Sequence, residues 1–369
     1  MPSTEDTGIA DLPHVVERLS APERAVFQRI FRVDVTQGRI VPPDAMRPWI
    51  ERYFGSVDAT LEQTVVRVTN LVTGRGALFN PLRSRRPHWA GSEGAGAAAG
   101  LEKEFGPTLE DPLADPYSGT PADTFGRVEG RFCVTASNVA KFDGLHALVV
   151  FKALNPLNFN REMLHDYVDT AFRWAEMAHR SDPSAKYFLF IWNCLWRAGA
   201  SLVHGHAQAL LGRGTHYPAV EQSRRLALSY RDQHGSSYFD DLYQAHASAG
   251  CGFQRGGVKV LASLTPVKEN EAILIAPQVG PGLIDTLYDL LACYRDHLGV
   301  SSFNLAFHMP PLAPVEEDWS GFPVAVYLVD RGDPGSRTSD IGAMELYGAS
   351  VIAGDPLRLA HRLRDTLGA

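Results

Sequence analysis

The stretch ASNVAKFDGLHALVV at residues 136–150 recurs in weaker form as ASLTPVKENEAILI at residues 262–275. Allowing one gap, Ala-Ser aligns with Ala-Ser, Lys141 with Lys268, and the run His-Ala-Leu-Val-Val with Glu-Ala-Ile-Leu-Ile. Each copy is typical of a strand, a polar turn and a second strand. Self-similarity of this kind indicates an internal repeat, so the stretch predicts a chain of two similar halves.

An amphipathic helix is predicted after each copy. Apolar residues recur at helical spacing over residues 164–175 and again over 283–298, which is the pattern of a helix with one buried face. Each helix leads to another apolar run, YFLFIWN at 187–193 and FNLAFHM at 303–309. The order strand, strand, helix, strand, strand thus occurs twice. It predicts an α+β fold of two halves, each a mostly antiparallel sheet packed with helices.

The rest of the chain divides around this repeat. Residues 14–55 have apolar positions at helical spacing, and 63–70 have strand character. We therefore expect an N-terminal, largely helical extension over residues 1–77, a first half over 78–245 and a second half over 246–369. A last helix is expected to begin after Asp355, a good N-cap residue, with Pro356 in its first turn.

Composition excludes several classes of function. The 369 residues are 45% hydrophobic and 21% charged, with a formal net charge of −7. An acidic chain has no general electrostatic attraction to nucleic acid or to an anionic membrane. No apolar run approaches the roughly 20 residues of a membrane span, and the acidic start is unlike a signal peptide. The four cysteines form no CxxC pair, so we expect free thiols, a cytoplasmic location, and neither a nucleic-acid nor a membrane partner.

The stretch GASLVHGHAQ at residues 199–208 places polar side chains at alternate positions of a small, apolar run. In an extended strand, His204, His206 and Gln208 share one face. An imidazole is nucleophilic near neutral pH, and its attack on an α-phosphate splits one phosphoryl transfer into two easier steps. Two other interpretations stay open on residue types alone: buried histidines that serve the core, or half of a metal site.

These residues resemble a known active site. The pattern N-x5-G-x-S-x2-H-x-H-x-Q, from Asn193 to Gln208, is similar to the active-site segment of galactose-1-phosphate uridylyltransferases, in the histidine triad superfamily. Diadenosine tetraphosphate phosphorylases share its H-x-H-x-Q core. NPLRSRRPHWAG (80–91), TASNVAKFDGLHALVV (135–150) and the C-terminal FNLAFHMPP resemble further segments of this branch. The second half of these enzymes is a degenerate repeat of the first, which agrees with the repeat found here.

The resemblance implies a role for each matching residue. His206 corresponds to the nucleophile that becomes nucleotidylated, and Gln208 to the residue that replaces the third histidine of the hydrolases. His204 is expected to orient the strand or loop by hydrogen bonding. The expected contacts of the nucleotide, its phosphates or the surrounding loop are Ser201, Asn193, Gly199, Asn138, Arg83, Arg85 and Arg86.

The resemblance also implies substrates and partners. The expected activity is a ping-pong nucleotidyltransferase that moves a nucleoside monophosphate (NMP) between a nucleoside diphosphate sugar and a sugar phosphate. One alternative is phosphorolysis of a dinucleoside polyphosphate or nucleoside diphosphate sugar by inorganic phosphate. Another, of a different class, is a nucleotide-binding module without turnover. A homodimer is expected, as is usual in the family.

Several family features are missing from the sequence. The family's zinc site uses a CxxC pair, but the matching region here reads DPLADP at residues 111–116. The second metal site of the family also loses its H-x-H pair, which is replaced by Val324 and Val326. We therefore expect no essential cofactor and no zinc, and leave Mg²⁺ open. The acceptor-binding stretch keeps Glu345 and otherwise diverges, so the sequence does not define the acceptor.

Overall fold

The computed structural model describes residues 7–85, 111–336 and 338–369. The helices are α1 Leu12–Arg18, α2 Ala21–Ile30, α3 Arg47–Phe54, α4 Asp58–Leu61, α5 Pro116–Gly119, α6 Arg161–Ser181, α7 Pro218–His234, α8 Tyr238–Ser248, α9 Pro281–Asp296, α10 Ala343–Tyr347 and α11 Pro356–Leu367. The strands are β1 Phe31–Arg39, β2 Glu62–Asn70, β3 Gly76–Phe79, β4 Cys133–Ser137, β5 Leu145–Phe151, β6 Ala185–Asn193, β7 His206–Arg213, β8 Gly252–Arg255, β9 Val258–Ala262, β10 Ala272–Ala276, β11 Phe303–His308, β12 Val324–Asp330 and β13 Ser350–Ile352.

The two repeat copies form one continuous sheet. Its nine strands lie in the order β4-β5-β7-β6-β11-β12-β10-β9-β8, and every neighbouring pair is antiparallel. The predicted order strand, strand, helix, strand, strand is confirmed in both copies. The halves meet at β6 and β11, which hold the same place in their copies and pair from Asn193–Asn304 to Phe190–Phe307. The fold is α+β, as predicted.

One face of this sheet packs against α6, α9 and α11 in the main hydrophobic core. Trp192 of β6 lies in that core with 1% of its surface exposed, and its ring is 5.1 Å from Phe151 and 5.0 Å from Phe303. Apolar burial of this kind is the main favourable contribution to folding. Trp192 therefore serves packing and does not reach a ligand face.

The N-terminal region contains a strand that the sequence pattern does not predict. The helix expected over residues 14–55 is wrong for Phe31–Arg39, which is β1 and pairs with β2 along its whole length. The β-branched Val33 and Val35 favour a pleated strand over a helix, and β2 supplies the partner. The four-stranded sheet β1-β2-β3-β13 includes β13 from the C-terminal part of the chain. The domain division at residues 77/78 and 245/246 stays a prediction.

The opposite face of the nine-stranded sheet differs between the halves. Over the second half, it packs in a second core with α2, α8 and the four-stranded sheet. Over the first half, the described residues place there only a small cluster of Leu113, Val134, Ala136 and Val150. The site described below lies on this face of the first half. No helix in the described parts of the chain has the length and apolar character that would span a bilayer.

Asp355 caps α11, as predicted. Its Oδ1 accepts hydrogen bonds from the N–H groups of Leu357 at 2.9 Å and Arg358 at 3.4 Å, and its Oδ2 accepts one from the Ile9 N–H at 2.8 Å. We expect Asp355→Ala to lower the free energy of unfolding by about 1–2 kcal/mol, because these donors lose their acceptor. Thermal denaturation measures the loss. Asp355→Asn keeps the oxygen that caps Leu357 and Arg358 and loses only the one that Ile9 meets, so a smaller loss is expected; an equal effect of both variants would contradict the capping argument.

Candidate active site

Strand β7 carries His206 and Gln208 to the face of the sheet opposite α6. The alternate residues Ala207 and Ala209 are fully buried in the core beneath that helix, and side chains alternate along a strand. His206 and Gln208 are each 6% exposed. Val150 of β5 lies opposite His206 in the register. The strand begins at His206, so His204 precedes it. The expectation that His204 shares one strand face with His206 and Gln208 is therefore wrong.

Gly205 allows the chain to enter β7 through a narrow gap. A Cβ atom at this position would lie 2.7 Å from Cδ2 of Phe151 and 2.9 Å from the carbonyl oxygen of Ala153. The Gly205 N–H donates to the Leu154 carbonyl at 2.8 Å, and its own carbonyl accepts from the Phe151 N–H at 2.9 Å. This is the close packing that the small residues of the motif predict. It fixes the backbone between the two histidines.

The tautomer of His206 follows from one hydrogen bond. Its Nδ1 is 2.7 Å from the carbonyl oxygen of His204, and a carbonyl only accepts, so Nδ1 carries the proton. Burial lowers the pKa of His206 below the usual value of 6.5, which favours the neutral ring. Nε2 then holds a lone pair. His206 thus has the tautomer that a nucleophile requires.

His204 is hydrogen-bonded to the loop that begins with DPLADP, residues 111–116. Its Nδ1 is 2.7 Å from Oδ2 of Asp111, the first residue of DPLADP, and its Nε2 is 2.8 Å from the carbonyl oxygen of Phe151. The Phe151 carbonyl only accepts, so Nε2 carries a proton and Nδ1 shares one with the Asp111 carboxyl group. His204 therefore has hydrogen-bonding partners at both nitrogens, and its orienting role stays a prediction. Sequence reasoning missed Asp111 as its partner.

The Gln208 side chain is oriented by His146 of β5. The Phe142 N–H donates to Nδ1 of His146 at 3.0 Å, so the neutral ring carries its proton on Nε2. Burial lowers the pKa of His146, consistent with a neutral ring. Nε2–H lies 3.0 Å from Oε1 of Gln208 and donates to it. The amide N–H₂ of Gln208 has no hydrogen-bond partner among the described residues.

Asn138 lies behind this pair, in the turn between β4 and β5. Its Oδ1 accepts from the Ala140 N–H at 3.1 Å, so its amide nitrogen faces Nε2 of His146 at 3.3 Å. Both are donors in the tautomer deduced above, and the contact is therefore not a hydrogen bond. Asn138 contacts the residue that orients Gln208, and its nucleotide-binding role stays a proposal.

The loop between β6 and β7 has a constrained backbone. Leu195 is buried and has φ 67° and ψ 171°, a region that L residues rarely adopt and that costs about 1–3 kcal/mol. Its carbonyl accepts from the N–H groups of Ala198 and Ala200, each at 3.1 Å. Gly199 has φ 96°, which suits glycine. Ser201 is exposed, and its hydroxyl has no hydrogen bond to any described residue.

Asn193 ends β6 at the site. The β6–β7 register ends at the pair Ile191–Gln208, and Asn193 lies two residues beyond it, on the same face of β6 as Ile191. The Asn193 side chain bonds Asn304 of the second half, a contact that the sequence analysis did not find. Arg83 lies in the short helix Pro81–Arg85 after β3 and stays a predicted phosphate contact, while Arg86 lies outside the described residues.

A protein metal site needs several His, Cys, Asp or Glu side chains close together. Within residues 7–85, 111–336 and 338–369, no group of three or more of these is placed to hold a metal ion. In the arrangement above, both ring nitrogens of His204 already have oxygen partners. The expectation of a site without zinc stays a prediction.

Comparison with known proteins defines the fold. No family model and no curated protein matches the sequence. Among solved structures, ADP-glucose phosphorylase from Arabidopsis thaliana with bound ADP-glucose matches with a TM-score of 0.59 and 16% identity, over 80% of this chain and 96% of that one. A uridylyltransferase matches with a TM-score of 0.57 and 15% identity, over 82% and 98%. The chain has the fold of the uridylyltransferase-like proteins.

A third structure of this fold, a GalT-like protein from Arabidopsis thaliana, matches with a TM-score of 0.56 and 15% identity, over 70% of this chain and 92% of that one. At identities this low, the structural matches establish a shared fold and nothing more. A shared fold does not imply a shared function. The function of this chain therefore has to be argued from the residues around His206.

Proposed function

We propose that this chain is a nucleotidyltransferase that works through a covalent nucleotidyl-histidine on His206. The observation that carries the proposal is the hydrogen bond from Nδ1–H of His206 to the His204 carbonyl. It leaves Nε2 as the unprotonated nitrogen, with the free amide N–H₂ of Gln208 on the same strand face. A nucleophile held in this tautomer beside hydrogen-bond donors suits attack on a phosphate ester.

The first step forms the N–P bond. Nε2 of His206 attacks the α-phosphorus of the donor, the bond from phosphorus to the bridging oxygen breaks, and the leaving phosphate departs with that electron pair. Nδ1–H remains bonded to the His204 carbonyl, which stabilises the positive charge that develops on the ring. The Gln208 N–H₂ donates to a non-bridging phosphoryl oxygen, where negative charge accumulates in the transition state.

The second step reverses the first with a new partner. An oxygen of a phosphorylated acceptor attacks phosphorus, the N–P bond breaks, and the lone pair returns to Nε2. No proton has to enter or leave the ring, so the buried His206 needs no general base. The proposed donor is a nucleoside diphosphate sugar and the proposed acceptor a sugar phosphate. Inorganic phosphate in the acceptor role gives the alternative, a phosphorylase.

Trapping the intermediate tests the proposal. The protein is incubated with UDP-glucose, ADP-glucose or a dinucleoside tetraphosphate carrying ³²P at the α-phosphate, then denatured. We expect protein-bound label that is stable in base and labile in acid, as a phosphoramidate is. Chase with glucose 1-phosphate or inorganic phosphate then distinguishes a transferase from a phosphorylase. Saturable nucleotide binding without label or exchange would contradict the proposal and favour a non-catalytic binding module.

The pH dependence of labelling follows from His206. Protonation of Nε2 removes the lone pair, so activity is lost as pH falls through the pKa that His206 has in the folded protein. Burial places that pKa below 6.5. We therefore expect the acid limb of the labelling rate to have its midpoint below pH 6.5. Single-turnover labelling between pH 4.5 and 8 measures it, and a midpoint above pH 6.5 would contradict the argument.

Stability has to be followed over the same range. Burial lowers the pKa values of His216, His246 and His308 to about 4, below their value in the unfolded chain. The stability associated with their neutral forms is fully present above pH 6.5 and is lost as pH falls towards 4. Circular dichroism at each pH separates this loss from titration of the nucleophile.

A further inference from the structure

Asn304 of β11 lies across the junction of the two halves from the proposed active site. The β6–β11 register pairs it with Asn193. Its Nδ2 is 2.7 Å from Oδ1 of Asn193 and 2.8 Å from the carbonyl oxygen of Ala198. The second half, which has no counterpart of the His206 nucleophile, therefore reaches both the end of β6 and the loop that follows it.

Arg331 decides which end of the Asn304 amide is the oxygen. Its Nη1 is 2.5 Å from Oδ1 of Asn304, and a guanidinium has only donors. Arg331 is itself held by Asp340, with Nε–Oδ2 at 2.7 Å and Nη2–Oδ1 at 3.1 Å. The Ala198 carbonyl, which only accepts, independently requires the amide nitrogen on its side. Two unambiguous partners thus fix the Asn304 orientation.

The orientation of Asn193 follows from that of Asn304. Because Asn304 Nδ2 donates, the atom it meets on Asn193 is the carbonyl oxygen. The N–H₂ group of Asn193 is then turned away from the second half, and it has no partner among the described residues. Gln208 has the same arrangement on the neighbouring strand, with its oxygen bound from behind by His146. Gln208 and Asn193 therefore each keep an N–H₂ group that has no partner among the described residues.

The loop between β12 and α10 adds a second connection. The Arg331 carbonyl accepts from Nε of Arg197 at 3.0 Å, and the Ser336 carbonyl accepts from its Nη1 at 3.2 Å. Nε1 of Trp196 donates to the Pro334 carbonyl at 3.0 Å. The segment that follows Asn193 is thus held by the segment that carries Arg331.

We propose that Asn304, oriented by Arg331, is a positioning residue through which the second half aims the Asn193 N–H₂ group at a phosphate oxygen of the nucleotide. This inference rests on the proposed function. Asn304 touches no substrate in this scheme; it acts through Asn193. Loss of a well-aimed donor in such sites costs about 10²–10³-fold in rate, and loss of its aiming alone costs less.

A double-mutant cycle tests the coupling. We expect Asn193→Ala to lower kcat about 10²-fold and Asn304→Ala about 10-fold, while the double variant is no worse than Asn193→Ala within about 3-fold. If Asn304 only supported the fold, the two losses would multiply. A multiplied loss would therefore overturn the proposal.

Asn304→Asp provides a sharper variant. An aspartate keeps the partner of Arg331 and nearly the same shape, but it cannot donate. Asn193 must then turn its own N–H₂ towards residue 304 and its oxygen towards the phosphate. We expect kcat to fall at least as far as in Asn304→Ala. Because the Ala198 carbonyl then faces a carboxylate oxygen instead of a donor, thermal denaturation is followed alongside to show that the variant is folded. Full activity of Asn304→Asp would overturn the proposal.

Hydrogen exchange of side-chain amides tests the orientation without any substrate. In protein labelled with ¹⁵N-asparagine, both Nδ2 protons of Asn304 should exchange slowly with D₂O and those of Asn193 rapidly; the two single variants assign the signals. The reverse pattern would overturn the inference. If wild-type protein forms no labelled intermediate with any donor, the proposed function fails, while this exchange experiment still decides the orientation of Asn193.

Discussion

Replacing His206 with asparagine is expected to lower kcat/KM for nucleotidyl transfer by about 10⁴-fold or more and to eliminate the acid-labile adduct. Losses of this size accompany removal of a covalent nucleophile. The amide N–H₂ that the substitution introduces keeps a donor on the side of the His204 carbonyl, so the local hydrogen bond has a replacement. The new side chain has no lone pair comparable with Nε2 and cannot form the N–P bond. Single-turnover labelling and steady-state transfer measure the two effects.

His361→Asn is the matched control. His361 lies on α11, where Nδ1 is 2.9 Å from Oδ2 of Asp365 and a third of the side chain is exposed. Its substitution should leave labelling unchanged. Circular dichroism and thermal denaturation show that each variant is folded. Normal labelling in a folded His206→Asn variant would eliminate the nucleotidyl-histidine route, whatever the activity of the protein.

The internal repeat explains why much of the fold could be predicted from the sequence. Each copy has short apolar runs that form its strands and one amphipathic helix after the first two of them, and both patterns are local. The strand β1 was missed because its pairing with β2 is a tertiary effect that local periodicity does not contain. The single sheet also depends on the pairing of β6 with β11. The sequence FNLAFHM predicts a strand but does not indicate which strand pairs with it.

The site residues that lie in one segment of the chain could be predicted from the sequence. His206, Gln208, His204 and Asn193 fall within a single motif, and alternation along β7 gives the face shared by the first two. Their orienting partners lie far away in sequence: Asp111 for His204 and Asn304 for Asn193. A lone aspartate in a loop and a lone asparagine in a strand have no sequence signal of such a role. Only the three-dimensional contacts reveal them.

Replacing Gln208 with glutamate is expected to lower kcat about 10²–10³-fold. The carboxylate introduced at this position can accept the hydrogen bond from Nε2–H of His146, as Oε1 of Gln208 does at 3.0 Å, so the strand and its packing are retained. Its second oxygen replaces the N–H₂ donor and faces the phosphoryl group with a negative charge. Loss of one donor at developing negative charge has an effect of this size, and like-charge repulsion adds to it.

Gln222→Glu is the matched control, because Gln222 is an exposed residue of α7. It introduces the same charge and should leave kcat unchanged. Measurement of donor affinity and kcat separates ground-state repulsion from loss of transition-state stabilisation. A Gln208→Glu variant with normal kcat would mean that the Gln208 N–H₂ group does not contact the phosphoryl oxygens. The orientation imposed by His146 would then have no catalytic consequence, and Gln208 would serve only to bridge β7 and β5.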